Sequence, residues 1–540
     1  MICAKDDNGK SVDWWFMYKL PSGIKPNRKS KKTKGNEYLY YDPAEKRPLH
    51  LSPNRLGAGP KGALYHTLRQ LMGKPGKSTG WIFYNDEYPA DMSPYVKKPK
   101  SYWMKFSPAK GAKLKDAKEK TRLTALMRKE GLITKDEKPT IKQLLRFRTA
   151  REKVVEEVAK IDKDLAALWK AGKGDWPPAV KPKINSGSAR KGDRGKPVDH
   201  ATNGHCKGVL AFDLDSDTAF WLSHSTPRIP ALKTPPSKRF FYPEYADGYA
   251  QTFICISLDS VAAACKIAKV MNVQHEPQVF GCRLPDSITE KSKKYALLWT
   301  KAQGSVPPNY GKAYTKKHKR RAPETKCRFQ SNAGKNFRLF AKSGAWFDDF
   351  WIDLVGPNLE NYQGGKGVDL RVETWRRLTP TAALPRRDID PNAKDIVNFG
   401  SHDFSTNYKD RDYHHEFFEK NGKRVVDEVT NIDLGMLEDP SGLLTGTKGA
   451  KLTGYMWSYT KDHAKWAISE EIKDRGVKTV QMHDGTTLAD EEGTVSDWVC
   501  IADLNRMTSQ EKRGGGAVCF HEPLLWHGLN EIERISGKIT

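Results

Sequence analysis

The sequence has no run of about 18 apolar residues, no Cys-x-x-Cys pair and no Asn-x-Ser/Thr triplet. A helix that spans a bilayer needs such a run, so we expect no membrane span. The eight cysteines show no zinc-like spacing, so we expect no metal site, and N-glycosylation is not expected. Residues 1–7 lack the apolar core of a signal peptide, which leaves a cytosolic protein or an exported one whose signal is missing from this sequence.

What is present is a large and basic chain. Its 540 residues are 38% hydrophobic and include 15 Trp, which is enough apolar mass for several domains or one large two-part unit. The net charge is +27. A field of that sign suits a polyanion such as nucleic acid or an anionic membrane, although a basic surface that serves only solubility has the same composition.

Composition and periodicity divide the chain into four parts. Residues 1–92 and 204–270 alternate aromatic or β-branched strands with a helix, and residues 271–540 repeat this style. Residues 93–203 are instead crowded with Lys and Arg. Strands mixed with helices on both sides predict an α/β (α+β) protein with a sheet in each half, the first half being interrupted by a basic insertion.

The basic insertion has helical spacing. Apolar residues recur at helical intervals over 140–170, and 114–129 is the expected partner helix. Residues 171–199 are rich in Gly, Pro, Lys and Ser, as flexible linkers are. A Lys-rich helix is commonly just a solvated face, and an additional contact to nucleic acid is the alternative.

Two His-x-Lys triplets stand out, because each begins an expected strand. His205-Cys206-Lys207 precedes the apolar run 208–213, and His463-Ala464-Lys465 opens another run in the second half. Side chains two apart on a strand point to the same face, so each triplet can present an imidazole and an ammonium to one pocket. With 14 histidines in a Lys-rich chain, one or two such triplets are expected by chance. An ordinary structural role for each histidine therefore stays open on spacing alone.

Such a pair of triplets has the groups that hydrolysis of a phosphodiester needs. One neutral histidine can attack phosphorus and form a phosphohistidine, while the other, protonated, gives its proton to the leaving oxygen. The two lysines balance the charge on the phosphoryl oxygens, so this chemistry needs no metal and no other cofactor. Opposite protonation states of the two imidazoles predict a bell-shaped pH dependence.

The triplets belong to a longer series of ordered blocks, which cover somewhat over half of the chain. The blocks are Val12-Asp13-Trp14 with Tyr18-Lys19-Leu20-Pro21, Tyr84-Asn85-Asp86, Gly204-His205-x-Lys207-Gly208-Val209-Leu210, Phe220-Trp221-Leu222-x-His224-Ser225-x-Pro227, Gln251-Thr252 with Cys255, Phe340-Ala341-Lys342, Asp462-His463-x-Lys465-Trp466, and Asp503-x-Asn505-Arg506 with Arg513-Gly514-Gly515-Gly516. In these blocks and their order the chain resembles the deoxyribonuclease II (acid DNase) family of the phospholipase D superfamily.

The resemblance implies a fold and an activity. The fold is a phospholipase D-like pseudo-twofold arrangement of two sheet-and-helix halves with the active site between them. The activity is metal-independent endonucleolytic hydrolysis of double-stranded DNA to 3′-phosphate ends, so that the 5′ oxygen leaves. Because they match the family's motif positions, His205 with Lys207 and His463 with Lys465 are expected to form the two half-sites. We favour His205 as the nucleophile and His463 as the general acid.

Three further residues match family positions and are candidates for supporting the site. His224 corresponds to another family histidine that orients or protonates, although a buried structural histidine is the alternative. Asn505 and Arg513 are candidate support residues, and Arg513 before three glycines could instead serve the turn.

Four cysteines are disulfide candidates. Cys500 and Cys519 bracket a Gly-rich turn and could close a disulfide, and Cys3 at the terminus could be tied to a strand. The resemblance implies the pairs Cys3–Cys255 and Cys500–Cys519, and it favours an exported or lysosome-like compartment. No obligatory protein partner is inferred. Two other functions stay open: a phospholipase D-like phosphodiesterase on another diester, and an inactive DNA-binding protein.

Overall fold

The computed structural model describes residues 1–86, 103–170, 204–298, 327–375, 387–388 and 425–535, with short gaps in most of these stretches. Its contacts divide the chain into two compact units. The larger unit comprises Met1–Asp86, Ala201–Pro230 and Thr234–Thr540, and the smaller comprises Glu87–His200 with Ala231–Lys233. The expected linker 171–199 lies outside the described residues. In the described part of the chain, no helix is long and apolar enough to cross a membrane.

The first sheet of the larger unit is wholly antiparallel. Its eight strands are β1 (Trp14–Lys19), β2 (Tyr38–Tyr41), β3 (His50–Leu51), β4 (Thr79–Tyr84), β5 (Gly208–Asp213), β6 (Thr218–His224), β7 (Gln251–Leu258) and β8 (Val279–Arg283). They lie in the order β3-β2-β1-β7-β6-β5-β4-β8.

The second sheet has ten strands. They are β9 (Cys327–Gln330), β10 (Asn336–Lys342), β11 (Leu370–Thr374), β12 (Arg387–Asp388), β13 (Val425–Asp433), β16 (Met456–Ser458), β17 (Lys465–Ser469), β20 (Trp498–Ala502), β21 (Gly515–His521) and β22 (Glu533–Ile535). Eight follow the order β12-β13-β11-β17-β20-β21-β10-β9, and β16 and β22 pair with β13. Two small hairpins complete the strands, namely β14 (Glu438–Asp439) with β15 (Ala450–Lys451) and β18 (Val477–Gln481) with β19 (Thr487–Glu491).

Helices are few and mostly short among the residues that the structure describes. The α-helices of one turn or more are α1 (Ala63–Arg69), α2 (Ala117–Lys129), α3 (Ile141–Ala159), α4 (Val261–Val270), α5 (Pro523–Ile532) and a single turn at Gly356–Asn358. A π-helix spans Phe350–Val355, where the sequence predicts a helix over 346–355, and 3-10 turns occur at Pro43–Glu45 and Tyr459–Lys461. The prediction of a mixed α and β protein is therefore confirmed, with antiparallel sheets dominating.

The two sheets share one strand order. β4-β5-β6-β7-β1 in the first sheet and β11-β17-β20-β21-β10 in the second are neighbours in the same chain order, and every pair is antiparallel. Each series ends in a helix, because α4 follows β7 and α5 follows β21. The triplet residues lie at the start of β5 and of β17, which hold the same place in the two series.

The two sheets pack against each other through aromatic side chains. Every residue of β1 is buried, as its continuous aromatic and apolar sequence requires for a strand covered on both faces. The Trp14 ring meets Phe520 of β21 edge-on at 4.9 Å and Phe337 of β10 at 6.2 Å between ring centroids. The N-terminal strand thus fixes the second sheet against the first.

The smaller unit has a core of its own. The two helices predicted over 114–129 and 140–170 are confirmed as α2 and α3, although α3 ends at Ala159 in the described residues. The Trp103 and Phe147 rings meet edge-on at 5.1 Å between centroids, and Leu123, Met127 and Leu144 are buried beside them. The apolar stripe that the spacing predicts is therefore the contact between the helices.

One strand lies in a stretch whose composition favours loops. Residues 376–450 read as loop-rich, but β13 occupies 425–433 and pairs with β11, β12, β16 and β22. The strand sequence VVDEVTNID carries five polar or charged residues among its nine, so neither a continuous apolar run nor a clean alternation marks it. Strands β8 and β9 and helix α5 were also missed.

The two disulfide candidates have different outcomes. Cys500 and Cys519 face each other across β20 and β21 and form a disulfide, as predicted. Cys3 and Cys255 are both buried free cysteines in this structure, so the second expected pair is not formed. Burial raises the pKa of the Cys255 thiol, and the neighbouring Cys3 raises it further. A thiol held protonated in apolar surroundings is poorly reactive.

Candidate active site at the two His-x-Lys triplets

Each triplet lies at the start of a strand of one sheet and is hydrogen-bonded to a segment of the other sheet. The backbone N–H of His205, before β5, donates to the carbonyl of Gly514, which precedes β21, at 2.8 Å. The backbone N–H of His463, before β17, donates to the carbonyl of Ala250, which precedes β7, at 2.9 Å. The two histidines therefore lie where the sheets meet, and each is positioned by the opposite sheet.

The charges of the two triplets act on one another. Lys465 is among the groups that lower the pKa of His205, and Lys207 is among those that lower the pKa values of His463 and Lys465. The burial of Lys207 and Lys465 and the crossed backbone hydrogen bonds of the two histidines place the four side chains in one poorly solvated region where the sheets meet. The structure thus brings the four predicted site residues together, which spacing in the sequence could not establish.

Asp86, directly after β4, is the anionic centre of this region. Its carboxylate lies 2.8 Å from Lys207 Nζ, 3.3 Å from an Arg513 guanidinium nitrogen and 3.5 Å from His205 Nε2. Burial alone raises the pKa of Asp86, but Lys207, His205 and Arg513 outweigh burial and hold that pKa below its usual range. The carboxylate is therefore charged and neutralises part of a cationic cluster. The sequence marks Asp86 only as the last residue of the block Tyr84-Asn85-Asp86.

The His205 ring is held in one tautomer. Its Nδ1 lies 2.5 Å from the carbonyl oxygen of Asp503. A carbonyl can only accept, so Nδ1 carries the proton and the neutral ring keeps its lone pair on Nε2. Lys207 Nζ also donates to the His205 carbonyl at 3.1 Å. The residue after Lys207 must be a glycine, Gly208, because a Cβ there would lie 2.1 Å from the Leu222 carbonyl oxygen of β6.

The His463 ring is held by aromatic contacts. The Tyr249 ring stacks on it at 3.9 Å between centroids with the planes 22° apart, and the Trp375 ring lies tilted at 4.7 Å. Among the described residues no group hydrogen-bonds to the buried His463 Nε2. Tyr249 is nevertheless 40% exposed, so one side of this aromatic cluster is open. Both aromatic residues were missed in the sequence, because their loops meet His463 only through the fold.

The backbone around His463 is fixed by hydrogen bonds to Asp462. This buried carboxylate accepts hydrogen bonds from Trp457 Nε1 and the Ala464 backbone N–H, each at 2.8 Å, and from the Tyr18 hydroxyl. Lys465 Nζ donates to the His463 carbonyl, as Lys207 does to that of His205. The two triplets thus have the same local geometry.

The surroundings of both histidines disfavour the protonated ring. Burial lowers the pKa of His205 well below its usual value, and Lys207 and Arg513 lower it further although Asp86 opposes them. Burial and then Lys465 lower the pKa of His463 to about 2. Burial and Lys207 lower the pKa of Lys465 to about 7. An anion bound among these groups would raise all three pKa values, since it favours their charged forms.

We expect His463→Gln to make the protein less sensitive to acid. An imidazole that is neutral when folded but protonates near its ordinary pKa of about 6.5 when unfolded loses stability as the pH falls below 6.5. At pH 4.5 that loss is about 2.7 kcal/mol for His463, and the glutamine variant should not show it. Urea unfolding at pH 7.5 and pH 4.5 measures the difference, with His527→Gln in α5 as the control. An equal loss of stability in wild type and His463→Gln would contradict the buried neutral imidazole.

Of the three candidate support residues, Arg513 and His224 lie at the site, and Asn505 is buried. Arg513 contacts Asp86, as described above. His224, in β6, is 2% exposed and stacks on Phe253 at 5.4 Å between centroids. Burial and then Lys207 lower its pKa to about 3, so it is a neutral buried imidazole at the edge of the cluster. Asn505 is 5% exposed, and its Oδ1 has no hydrogen-bond partner among the described residues.

The site's anion-binding groups are cations rather than metal ligands. Among the residues that the structure describes, no three His, Cys, Asp or Glu side chains are grouped to hold a metal ion. Lys207, Lys465 and Arg513 supply the cations at the triplets, and the carboxylates of Asp86 and Asp462 offset part of their charge. The arrangement can therefore hold a singly charged phosphodiester next to two imidazoles.

The sequence was compared with known families and proteins. The sequence model of the family described as Deoxyribonuclease II matches residues 3–121, 190–424 and 443–535. These stretches contain both triplets and Asp86, whereas residues 122–189 of the basic insertion fall outside them. The match confirms the resemblance that the ordered blocks indicate.

Curated relatives agree with the family match. A Burkholderia pseudomallei protein with a provisional deoxyribonuclease-2 name is 27% identical over 539 residues, which cover 99% of this chain and 93% of the relative. Deoxyribonuclease-2-alpha of Rattus norvegicus is 24% identical over 62% of this chain and 67% of its own length. Deoxyribonuclease-2 of Caenorhabditis elegans is 26% identical over 61% of this chain and 60% of its own. With the family match covering most of its length, the chain belongs to the deoxyribonuclease II family.

Proposed function

We propose that this site hydrolyses double-stranded DNA without a metal ion, through a covalent phosphohistidine, and leaves 3′-phosphate ends. Membership of the family makes the chain a hydrolytic endodeoxyribonuclease. The observation that carries the finer proposal is the meeting of two imidazoles and two ammonium groups in one electrostatic cluster, with each histidine bonded to the opposite sheet.

In the first step His205 Nε2 attacks phosphorus. The N–P bond forms as the bond from phosphorus to the 5′ oxygen breaks, and that oxygen takes a proton from His463. In the second step a water attacks phosphorus, the N–P bond breaks, and His463 receives the water's proton. The DNA keeps a 3′-phosphate and His205 returns to its neutral form. The tautomer fixed by Asp503 supports Nε2 as the attacking atom.

Because the pKa values of the two histidines are low, the bound substrate itself must help to protonate His463. His463 can act as an acid only when it is protonated, and burial and Lys465 oppose this in the free protein. A phosphodiester bound between the triplets offsets the cationic field, which raises the pKa of His463. Catalysis in this scheme takes up a proton with DNA and is favoured by acid.

The fold supports a phospholipase D-like pseudo-twofold arrangement as part of the proposal. The two sheets repeat one order of five strands, each series is followed by a helix, and the triplets occupy corresponding positions. The crossed hydrogen bonds of His205 to Gly514 and of His463 to Ala250 are related in the same way. A twofold axis would then pass between the triplets, with the scissile phosphate near it.

Plasmid DNA incubated in EDTA between pH 4 and pH 8 tests the proposed reaction. We expect nicking and fragmentation without divalent metal, with the highest rate in acid. The fragments should prime a DNA polymerase only after phosphatase treatment, because a 3′-phosphate blocks extension. Absence of cleavage at every pH would overturn the nuclease proposal in favour of an inactive DNA-binding protein. Cleavage of a phospholipid or aryl diester but not of DNA would favour a phosphodiesterase on another diester.

The smaller unit supplies additional DNA contacts in this proposal. Residues 93–203 carry 29 Lys and Arg against 13 Asp and Glu, which is more than half of the net charge of +27. Lys118 and Arg122 are exposed on one face of α2. Lys and Arg on phosphates release counter-ions, so each contact adds to the salt dependence of binding.

We expect Lys118→Gln with Arg122→Gln to weaken DNA binding without lowering kcat. The slope of log Kd against log salt should fall by about 1 to 2, since about 0.9 is lost for each phosphate contact. Fluorescence anisotropy of a labelled duplex with the His205→Ala protein as background measures it. The matched control is Lys266→Gln with Lys269→Gln, two exposed lysines of α4. Equal slopes in all three proteins would make the α2 lysines a solvated face.

A further inference from the structure

Two buried lysines outside the triplets occupy corresponding places in the two sheets. Lys19 is the last residue of β1 and lies opposite Gln251, the first residue of β7. Lys342 is the last residue of β10 and lies opposite Gly515, the first residue of β21. The two lysines are 0% and 1% exposed. An ammonium that is fully removed from water is costly unless it is well hydrogen-bonded, so each position needs a reason.

Each ammonium binds backbone carbonyls of the segment that leads into the neighbouring strand. Lys342 Nζ donates to the carbonyls of Arg513 at 2.8 Å and Gln510 at 3.0 Å, both just before β21. Lys19 Nζ donates to the carbonyl of Asp247 at 3.2 Å, just before β7, and to that of Gly35 at 2.7 Å. We call the described residues of these segments, Gln510 with Arg513 and Gly514 in one sheet and residues 247–250 in the other, the two crossing loops.

The crossing loops are the segments that hold the two histidines. The first of them ends at Gly514, whose carbonyl accepts from the His205 N–H, and contains Arg513, which contacts Asp86. Residues 247–250 end at Ala250, whose carbonyl accepts from the His463 N–H, and contain the Tyr249 ring that stacks on His463.

The surroundings of Lys19 show how closely this contact is built. Gly35 has a φ of +87°, and a Cβ there would lie 2.2 Å from the Asp247 carbonyl oxygen. A glycine is therefore required for the chain at Gly35 to approach Asp247 closely enough to share one ammonium. The Ser22 N–H donates to the same Asp247 carbonyl at 2.8 Å, so the crossing loop is fixed by two donors.

We propose that Lys19 and Lys342 are paired positioning residues, each of which fixes the crossing loop that orients the histidine of the opposite sheet. Lys342 acts on His205, and Lys19 acts on His463. This inference rests on the proposed function, because it assigns each lysine to one of two chemical steps. If His205 is the nucleophile and His463 the acid, loss of Lys342 impairs attack and loss of Lys19 impairs protonation of the leaving oxygen.

Two substrates separate these effects. Cleavage of DNA expels a 5′ oxygen, which needs a proton, whereas thymidine 3′-(p-nitrophenyl phosphate) expels p-nitrophenolate, which does not. We expect Lys19→Met to lower the single-turnover rate on DNA by about 10- to 100-fold and the first-turnover release of p-nitrophenolate by less than about threefold, because His463 acts on the aryl ester only in the later hydrolysis of the phosphohistidine. We expect Lys342→Met to lower kcat on both substrates by about 10- to 100-fold.

Lys335→Met is the matched control, because this lysine lies just before the other end of β10 and pairs with Glu522 at 2.6 Å, away from both crossing loops. It should change kcat on either substrate by less than twofold. Circular dichroism and urea unfolding establish that each variant is folded. Where a methionine variant does not fold, the glutamine variant replaces it, since its amide still donates to a carbonyl.

The outcomes are distinguishable from those of the proposed function. Dead His205→Ala and His463→Ala proteins beside fully active Lys19→Met and Lys342→Met proteins would overturn the positioning role alone. Equal losses on both substrates for both lysines, or failure of methionine and glutamine variants alike to fold, would make the lysines purely structural and overturn it as well. Activity in the histidine variants would overturn the site itself.

Discussion

His205→Ala should lower kcat for plasmid cleavage by at least about 10³-fold, because it removes the atom that bonds to phosphorus. His463→Ala should lower kcat by about 10²- to 10⁴-fold on DNA, the range that a general acid contributes. The two effects should not add in the double variant, since both residues serve one step. Supercoiled plasmid in EDTA at acid pH, resolved by gel electrophoresis over time, gives the rates.

The histidine variants need a control that keeps the rest of the site. His50→Ala is suitable, because His50 lies in β3, outside the triplets, and its buried ring bonds the Pro48 carbonyl. It should lose some stability and keep kcat. DNA binding by both triplet variants should persist, since the lysines and Arg513 remain. Full cleavage activity in His205→Ala and in His463→Ala would remove both triplets from catalysis.

Asp86→Asn should cost about 3 kcal/mol of stability at pH 7 and also reduce activity strongly. Removing this carboxylate leaves Lys207 and Arg513 buried without their counter-charge, and breaking a buried ion pair in this way costs about 3–5 kcal/mol. The pKa of His205 should fall further, because Asp86 is the group that raises it. Both the free energy of unfolding and kcat should therefore drop.

The pH dependence of this loss has a defined sign. The pKa of Asp86 lies below its usual value in the folded protein, so its contribution is present above pH 4 and is lost as the pH falls below it. The stability difference between wild type and Asp86→Asn should therefore begin to shrink as the pH falls below 4. The matched control is Asp349→Asn, which breaks the fully buried 2.8 Å ion pair with Arg506 outside the triplets.

Asp349→Asn should lose a similar amount of stability, yet its folded fraction should keep kcat within a few-fold of wild type. Equal stability of Asp86→Asn and wild type at pH 7 would contradict the charged, buried carboxylate. Equal losses of kcat in both variants would show that destabilisation, rather than the loss of Asp86 from the cluster, lowers the rate.

Much of the site could be predicted because it is local in the sequence. β1, β2, β5 and β7 are short apolar or aromatic runs, and their burial requires that pattern. The apolar run that comes after each His-x-Lys triplet predicts that the triplet lies at the start of a strand. The pairing of Cys500 with Cys519 is also local, since they lie on adjacent antiparallel strands joined through a short stretch of chain.

The rest of the site depends on which loops meet in three dimensions. Asp86, Tyr249 and Trp375 come from loops distant in the sequence, and no periodicity marks them. Lys19 and Lys342 look like ordinary ends of strands until their carbonyl contacts are known. The expected Cys3–Cys255 bond is not formed in this structure, although the fold does bring the two buried thiols together.

The covalent intermediate is the most direct test of the central claim, that the two triplets act as one phosphodiester-cleaving site. A His463→Ala protein mixed with thymidine 3′-(p-nitrophenyl phosphate) forms the N–P bond without needing an acid, and is then digested at alkaline pH, where phosphohistidine survives. Mass spectrometry should find a thymidine phosphate on the peptide that contains His205, and none when His205 is also replaced by Ala. An adduct on any other residue, or release of p-nitrophenol with no adduct at any time, would contradict the mechanism.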